Sequence, residues 1–137
     1  MALTHLLDTS VLTRLHHPIV RSAVEPLAAT GRAARAGISD LEIGFSARNA
    51  TEWDHLASAL AVFDLVETTA RHIQRARTVQ RQLASTSQRG RKIPDLLVAA
   101  AAEEAGLTVL HYDTDFDLIS AATGQACEWV APPGTIS

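Results

Sequence analysis

The sequence predicts an α/β fold, a central and mostly parallel sheet with helices on its faces, over one domain spanning residues 1–137. Three observations predict it. Short apolar runs with strand character ("HLLD", "ARAGIS", "FDLVET", "LTVLHYD") alternate with longer segments of helical periodicity. Helical segments separate the strands, and parallel pairing requires such crossovers. The 137 residues suit one domain that buries roughly two-thirds of its unfolded surface, and no repeat, low-complexity tract or linker divides them.

The elements follow in order. "HLLD" is a short buried strand ending at Asp8, and "TSVLTRL" then takes a helical pattern stopped by Pro18. A helix from about Ile19 to Ala29 ends before Gly31, with a kink or break expected at Pro26. "ARAGIS" is the second strand, and "SDLEIGFSAR" restarts a helix. "ATEWDHLASALAVF" places Trp53, Leu56, Leu60 and Phe63 at the spacing of a buried helical face, and "FDLVET" is the third strand. From Ala70 to Leu83 a polar helix carries a stripe of Ile73, Ala76, Val79 and Leu83. "ASTSQRGRKIP" is an exposed loop. After Pro94 the helix former "DLLVAAAAEEAG" closes on Gly106, placed as a C-terminal cap. "LTVLHYD" is the clearest strand; a short helix "DFDLISAA" and a strand "CEWVAP" complete the chain.

Composition narrows the function. A net charge of -3 argues against a strongly basic nucleic-acid binder, although a local patch "QRGRK" is present. The longest apolar run, "LLVAAAA", stops at Glu103 and Glu104, well short of the ~20 residues that span a bilayer. The N-terminus lacks the basic start and apolar stretch of a signal peptide, so a cytoplasmic protein is expected. Cys127 has no cysteine partner and reads as a small buried hydrophobe. The six histidines form no H-x-x-x-H pair and read as structural or solvated.

The chemistry lies in the acids. Asp8, Glu42, Asp95 and the group Asp113, Asp115 and Asp117 all adjoin apolar elements. Each has a structural explanation. Asp8 can cap the following helix, Ser39 and Glu42 form the S-x-x-E pattern of a capping box, Asp95 suits a first helical turn, and the last three suit a solvated turn. Their joint placement says more. Asp8 and Asp113 both end strands, and in parallel sheets the ligand crevice lies at the carboxyl ends. Two carboxylates ~4 Å apart repel by roughly 4 kcal/mol at an effective dielectric of 20, which protons or cations must relieve. An oxygen-only donor set suits Mg²⁺ or Mn²⁺ over Zn²⁺, and metal-assisted attack of water on a phosphodiester uses these residues best.

The segments "LLDTSVL", "SDLEIGFSAR" and "IPDLLVAAAAEEAGLTVLHYDTDFDLI", in this order and over nearly the whole chain, resemble PIN-domain ribonucleases, specifically the VapC toxins of VapBC toxin–antitoxin pairs. The resemblance implies a three-layer α/β/α sandwich and a metal-dependent endoribonuclease that cuts structured RNA, transfer or ribosomal. By motif it assigns the metal and catalytic positions to Asp8, Glu42, Asp95 and Asp113, with Asp115 as a further acidic position. Thr9 and Ser10 fill the small hydroxyl positions after the first aspartate; Asp117 is expected to be exposed. The resemblance also implies a homodimer and a VapB-type antitoxin that directs an arginine into the acidic site, where a guanidinium can pair with carboxylates.

Two other readings compete. A degenerate, non-catalytic PIN domain would have lost an acidic position, and none is missing. A haloacid-dehalogenase-like phosphatase needs an aspartate two residues after Asp8, where this chain has Ser10. Few aromatics are available for base stacking, so RNA recognition is expected to depend on shape and phosphates. Arg89, Arg91 and Lys92 precede Asp95 closely enough to hold those phosphates. The double change Arg89→Ala and Arg91→Ala is expected to weaken RNA cleavage, with the circular dichroism spectrum unchanged. Equal cleavage by both proteins at several salt concentrations would refute the role.

Overall fold

The computed structural model describes residues 2–88 and 92–137. Its elements, in chain order, are β1 (His5–Leu7), α1 (Thr9–Leu12), α2 (Pro18–Ala29), β2 (Ala33–Ala36), α3 (Gly37–Gly44), α4 (Ala50–Leu60), β3 (Asp64–Val66), α5 (Ala70–Ser85), α6 (Ile93–Ala105), β4 (Thr108–His111), α7 (Asp115–Thr123) and β5 (Cys127–Trp129). The strands form one sheet in the order β3-β2-β1-β4-β5, and every pairing is parallel. β1 pairs with β2 on one side and β4 on the other, so the strand order reverses at β1 and β4. Such a switch point opens a crevice beyond the carboxyl ends of the strands.

Strand alternation creates two cores. Leu6 and Val109 face one side with Ala34, under Val79 and Leu83 of α5, Leu96 and Val98 of α6, and Phe116 and Ile119 of α7. Leu7 and Leu110 face the other side, with Val11 and Leu12 of α1, Val20 and Val24 of α2, Ile43 of α3 and Leu60 of α4. The expected three layers are present. Most of α6 is buried because its run Ala99–Ala102 is small enough to lie close to its neighbours.

Four local expectations change. The Ser39–Glu42 capping box is absent: α3 begins at Gly37 with Ala36 as its cap residue, so Ser39 is already inside the helix and fully buried. A reciprocal box forms instead at α5, where Thr69 Oγ1 accepts from His72 N and His72 Nδ1 accepts from Thr69 N. Consequently the buried stripe of α5 contains His72, Ala76, Val79 and Leu83, while Ile73 is half exposed. Pro26 does not break α2, because the carbonyl it leaves without a donor belongs to Ser22 on the exposed face. Trp53 is also half exposed, whereas Leu60 and Phe63 are buried.

Gly106 closes α6 with φ at +70°, while Leu107 N donates to Ala102 O at 2.9 Å. A Cβ there would meet nothing within 4 Å, so only backbone conformation opposes a side chain. Gly106→Ala is expected to cost about 1 kcal/mol of stability in urea unfolding without altering the site. An unchanged midpoint would contradict this account of the helix end.

Candidate active site at the carboxyl ends of β1 and β4

Asp8 follows β1 and caps α1, its Oδ2 accepting from Ser10 N at 3.0 Å and from Ser10 Oγ at 2.6 Å. Its own N–H donates to Leu110 O at 3.0 Å, extending the β1–β4 pairing by one residue. Ser10 Oγ in turn accepts from Tyr112 N at 2.8 Å. One hydroxyl therefore joins Asp8 to the chain leaving β4. Asp113 lies on that chain, its N–H donating to His111 Nδ1 at 3.2 Å and its Oδ1 accepting from Asp115 N at 2.9 Å. Burial depresses the His111 pKa, so the ring is neutral and carries its proton on Nε2.

Asp95 is buried in the first turn of α6, where the positive end of the helix dipole favours a carboxylate. Asp8, Asp95 and Asp113 each bring a carboxylate oxygen within 4.8 Å of the others. Glu42 is not part of that innermost group. Half-buried on α3, it is reached by Thr9, whose Oγ1 lies 2.7 Å from Glu42 Oε1 and 2.8 Å from Ser39 Oγ. A hydroxyl has one proton, so Thr9 donates to the carboxylate and accepts from Ser39. Thr9 and Ser10 thus hold the acids in place.

Lys92, just before α6, projects its ammonium among the carboxylates. Nζ is 2.5 Å from Asp113 Oδ2, 3.8 Å from Asp95 Oδ2 and 3.9 Å from Asp115 Oδ2. Asp115 therefore sits at the margin of the group. Asp117 is exposed and accepts from Trp129 Nε1 at 3.0 Å, away from the cluster. Arg89 and Arg91 lie outside the described residues. Sequence reasoning missed Ser39 and Arg14, whose Nη1 donates to Ser10 O at 2.7 Å. For Arg14 a signal existed, since it stands four residues after Ser10 on the turn that follows Asp8.

Residues 5–122 match the PIN domain. Over 99% of both chains the sequence is 65% identical to ribonuclease VapC51 of Mycobacterium tuberculosis. It is 43% identical to ribonuclease VapC21 of the same species, over 98% of this chain and 99% of the other. The chain belongs to the VapC family of PIN domains. Among solved structures, the DNA-bound VapBC of Salmonella typhimurium matches this PIN fold with a TM-score of 0.76 at 14% identity, covering 94% of this chain and 99% of that one. VapBC2 of Rickettsia felis, bound to a promoter DNA fragment, matches with a TM-score of 0.75 at 16% identity, over 94% and 98%.

The electrostatics of this PIN domain follow from the crowding. Burial raises the Asp8 pKa, and Asp113 and Glu42 raise it further against the lowering bonds from Ser10. Burial, with the charges of Asp8 and Asp113, pushes Asp95 up to about 9. Burial would raise Asp113 too, but the Lys92 ammonium and the Asp115 N–H overcome it and leave Asp113 below its ordinary value. The same contact with Asp113 raises Lys92, which stays charged. Two buried carboxylate oxygens, Asp8 Oδ1 and Asp95 Oδ2, have no hydrogen-bond partner. Oxygen-only donors, two of them without a hydrogen bond, fit a divalent cation.

Between the ordinary value of 3.8 and about 9, folded Asp95 keeps a proton that the unfolded chain releases. Asp8 shifts in the same direction. The folded state thus binds more protons over that interval, and stability falls as pH rises through it. The melting temperature of EDTA-treated protein should therefore decline from about pH 5 to pH 9. Asp95→Asn should flatten the decline, and Mn²⁺ should raise the melting temperature more at pH 8 than at pH 5. A flat profile in EDTA would overturn this picture of the site.

Proposed function

We propose that this chain is the endoribonuclease toxin of a VapBC pair, hydrolysing phosphodiester bonds in structured RNA, transfer or ribosomal, with Mg²⁺ or Mn²⁺. The observation that carries the reading is the meeting of Asp8, Asp95 and Asp113 at the β1–β4 switch point. The ribonuclease names of the 65% and 43% identical relatives support it. The VapBC assemblies among the structural neighbours support a VapB-type antitoxin partner. No helix among the described residues is long and apolar enough to cross a membrane, in keeping with action on RNA in the cytoplasm. The homodimer implied by the sequence resemblance is part of the same proposal.

Asp8, Asp95 and Asp113 hold the cation, and Asp115 supports them from the margin. Once bound, a divalent ion supplies Lewis-acid stabilisation to the phosphate and acidifies the attacking water. Thr9 fixes Glu42 through Oε1, which leaves Oε2 to take a proton from that water. Lys92, charged beside Asp113, moves onto phosphate oxygens as RNA arrives. Direct attack of water leaves a 5'-phosphate and a 3'-hydroxyl.

Antitoxin-free protein incubated with total cellular RNA and Mg²⁺ or Mn²⁺ is expected to make discrete cuts with those ends. Asn caps a helix as well as Asp, so Asp8→Asn should stay folded. It should lose activity by more than the ~10–100-fold that removing a supporting group around a metal typically costs. Ends bearing 2',3'-cyclic phosphate, or cutting undiminished in Asp8→Asn, would refute the mechanism. No cutting by folded, metal-supplied protein would favour the non-catalytic PIN alternative.

A further inference from the structure

An open cleft of about 510 Å³ adjoins the acidic cluster, lined by Ser10, Arg14, Lys92, Tyr112, Asp113 and Trp129 among others. Because Ser10, Asp113 and Lys92 belong to both, the cleft continues directly from the carboxylates. Its volume falls in the range of small-ligand sites. The composition of its walls is the informative feature. The chain has one Tyr and two Trp, and that Tyr and one of the Trp meet here.

The Trp129 ring is braced on one side by His111, with centroids 4.9 Å apart, and edge-on by Tyr112 at 5.5 Å. Its Nε1 is fixed to Asp117 at 3.0 Å. An indole held this way needs little further ordering before a ligand base stacks on it. Arg14 is equally prepared. Its Nη1 donates to Ser10 O at 2.7 Å, its Nε to Ser137 O at 3.0 Å, and its guanidinium lies 5.0 Å from the centre of the Tyr112 ring. Among the described residues no Asp or Glu side chain pairs with it. These bonds set Nη1 on the Ser10 carbonyl and Nε on an oxygen of Ser137, the last residue, and leave Nη2 for a ligand anion. A cation with no Asp or Glu side chain against it, beside aromatic rings and a phosphodiester-cleaving site, matches the chemistry of a nucleotide.

We propose that this cleft is a nucleotide subsite: Arg14 holds an RNA phosphate adjoining the one that is cut, and Trp129, backed by Tyr112, stacks on the neighbouring base. The inference rests on the ribonuclease reading above and adds to it the residues that set where along a strand the cut falls. It adds one stacking contact to the expectation that RNA recognition depends on shape and phosphates. The aromatics are few, but the fold concentrates two of them beside the carboxylates.

The test uses the full chain carrying Asp8→Asn, so that the probe is not cut, and a 12-nucleotide single-stranded RNA of mixed sequence labelled with fluorescein. With Trp53→Phe added, Trp129 is the sole tryptophan, and its fluorescence is expected to be quenched as RNA is titrated. Arg14→Gln should weaken binding about tenfold, as loss of one charge-assisted hydrogen bond does. It should also reduce the salt dependence by about one phosphate's share, whereas Arg14→Lys keeps that dependence. In otherwise unchanged protein, Arg14→Gln should raise KM more than it lowers kcat and shift the cut sites.

No quenching, with the same affinity and salt slope in Arg14→Gln, would overturn the subsite even if the parent protein cuts RNA. Quenching by a short acidic peptide in place of the oligonucleotide would also overturn it and assign the cleft to a protein partner. Quenching by RNA in a chain that cuts nothing would uphold the subsite and defeat the nuclease reading instead. Circular dichroism of each variant separates these outcomes from unfolding, and the Arg14→Lys result provides the comparison should Arg14→Gln fold poorly.

Discussion

Bringing three carboxylates within 4.8 Å of one another in a partly dehydrated pocket sets the problem that the rest of the site answers. Like charges at that distance, with little water between them, cannot all remain ionised without a cation. The chain supplies partial answers of its own. Ser10 gives Asp8 two donors, the first turn of α6 places Asp95 at the positive end of the helix dipole, and Lys92 gives Asp113 a full positive charge. None donates a hydrogen bond to Asp8 Oδ1 or Asp95 Oδ2. A carboxylate cluster left short of positive charge by design of the fold is poised to exchange a proton or an ammonium for a divalent ion.

The crowding is imposed from below by strand pairing. Leu7 aligns with Leu110 in the parallel β1–β4 register, so the residues just beyond each strand leave the sheet side by side. Leu6 and Val109 face one core while Leu7 and Leu110 face the other, which fixes that register: a slip of one residue would turn apolar side chains to the wrong layer. The buried face of α6, with its run of alanines, lets the helix approach the sheet closely and carry Asp95 over the strand ends. Packing of ordinary aliphatic residues on two faces thereby holds charged groups together that would otherwise separate.

This explains which parts were readable in the sequence. Alternating strand and helix patterns gave the order of elements, and Asp8 and Asp113 were identifiable because each directly follows an apolar run. Asp95 followed from its place after Pro94. Glu42 was harder, since the S-x-x-E pattern supplied a local reason for it that the structure does not use. Only the tertiary contact from Thr9, some thirty residues away in sequence, reveals why it points inward. Arg14 was obscured for the same reason, since its partners lie on the backbone and on the ring of Tyr112, and Lys92, legible as a phosphate contact, gave no local sign of its pairing with Asp113. Of the kink or break expected at Pro26, the break does not occur, because the carbonyl left without a donor faces water.

A chain with a net charge of -3 that acts on a polyanion has to overcome its own average field. Local arrangement does this, because interactions beyond about 8 Å are screened at physiological ionic strength whereas those inside a cleft are not. Two cations line the cleft beside the acids: Arg14 stands over Tyr112, and Lys92 reaches the carboxylates from the start of α6. RNA phosphates can then meet positive charge next to carboxylates that, in the proposed mechanism, hold a divalent ion. The same arrangement makes the site vulnerable to any competing cation on a tethered chain. An arginine presented to Asp113 by a bound protein would face the opening that Lys92 already uses, with no entropy lost to a free ligand. The electrostatic demand that favours a divalent ion at the cluster is therefore the demand by which a partner could silence it.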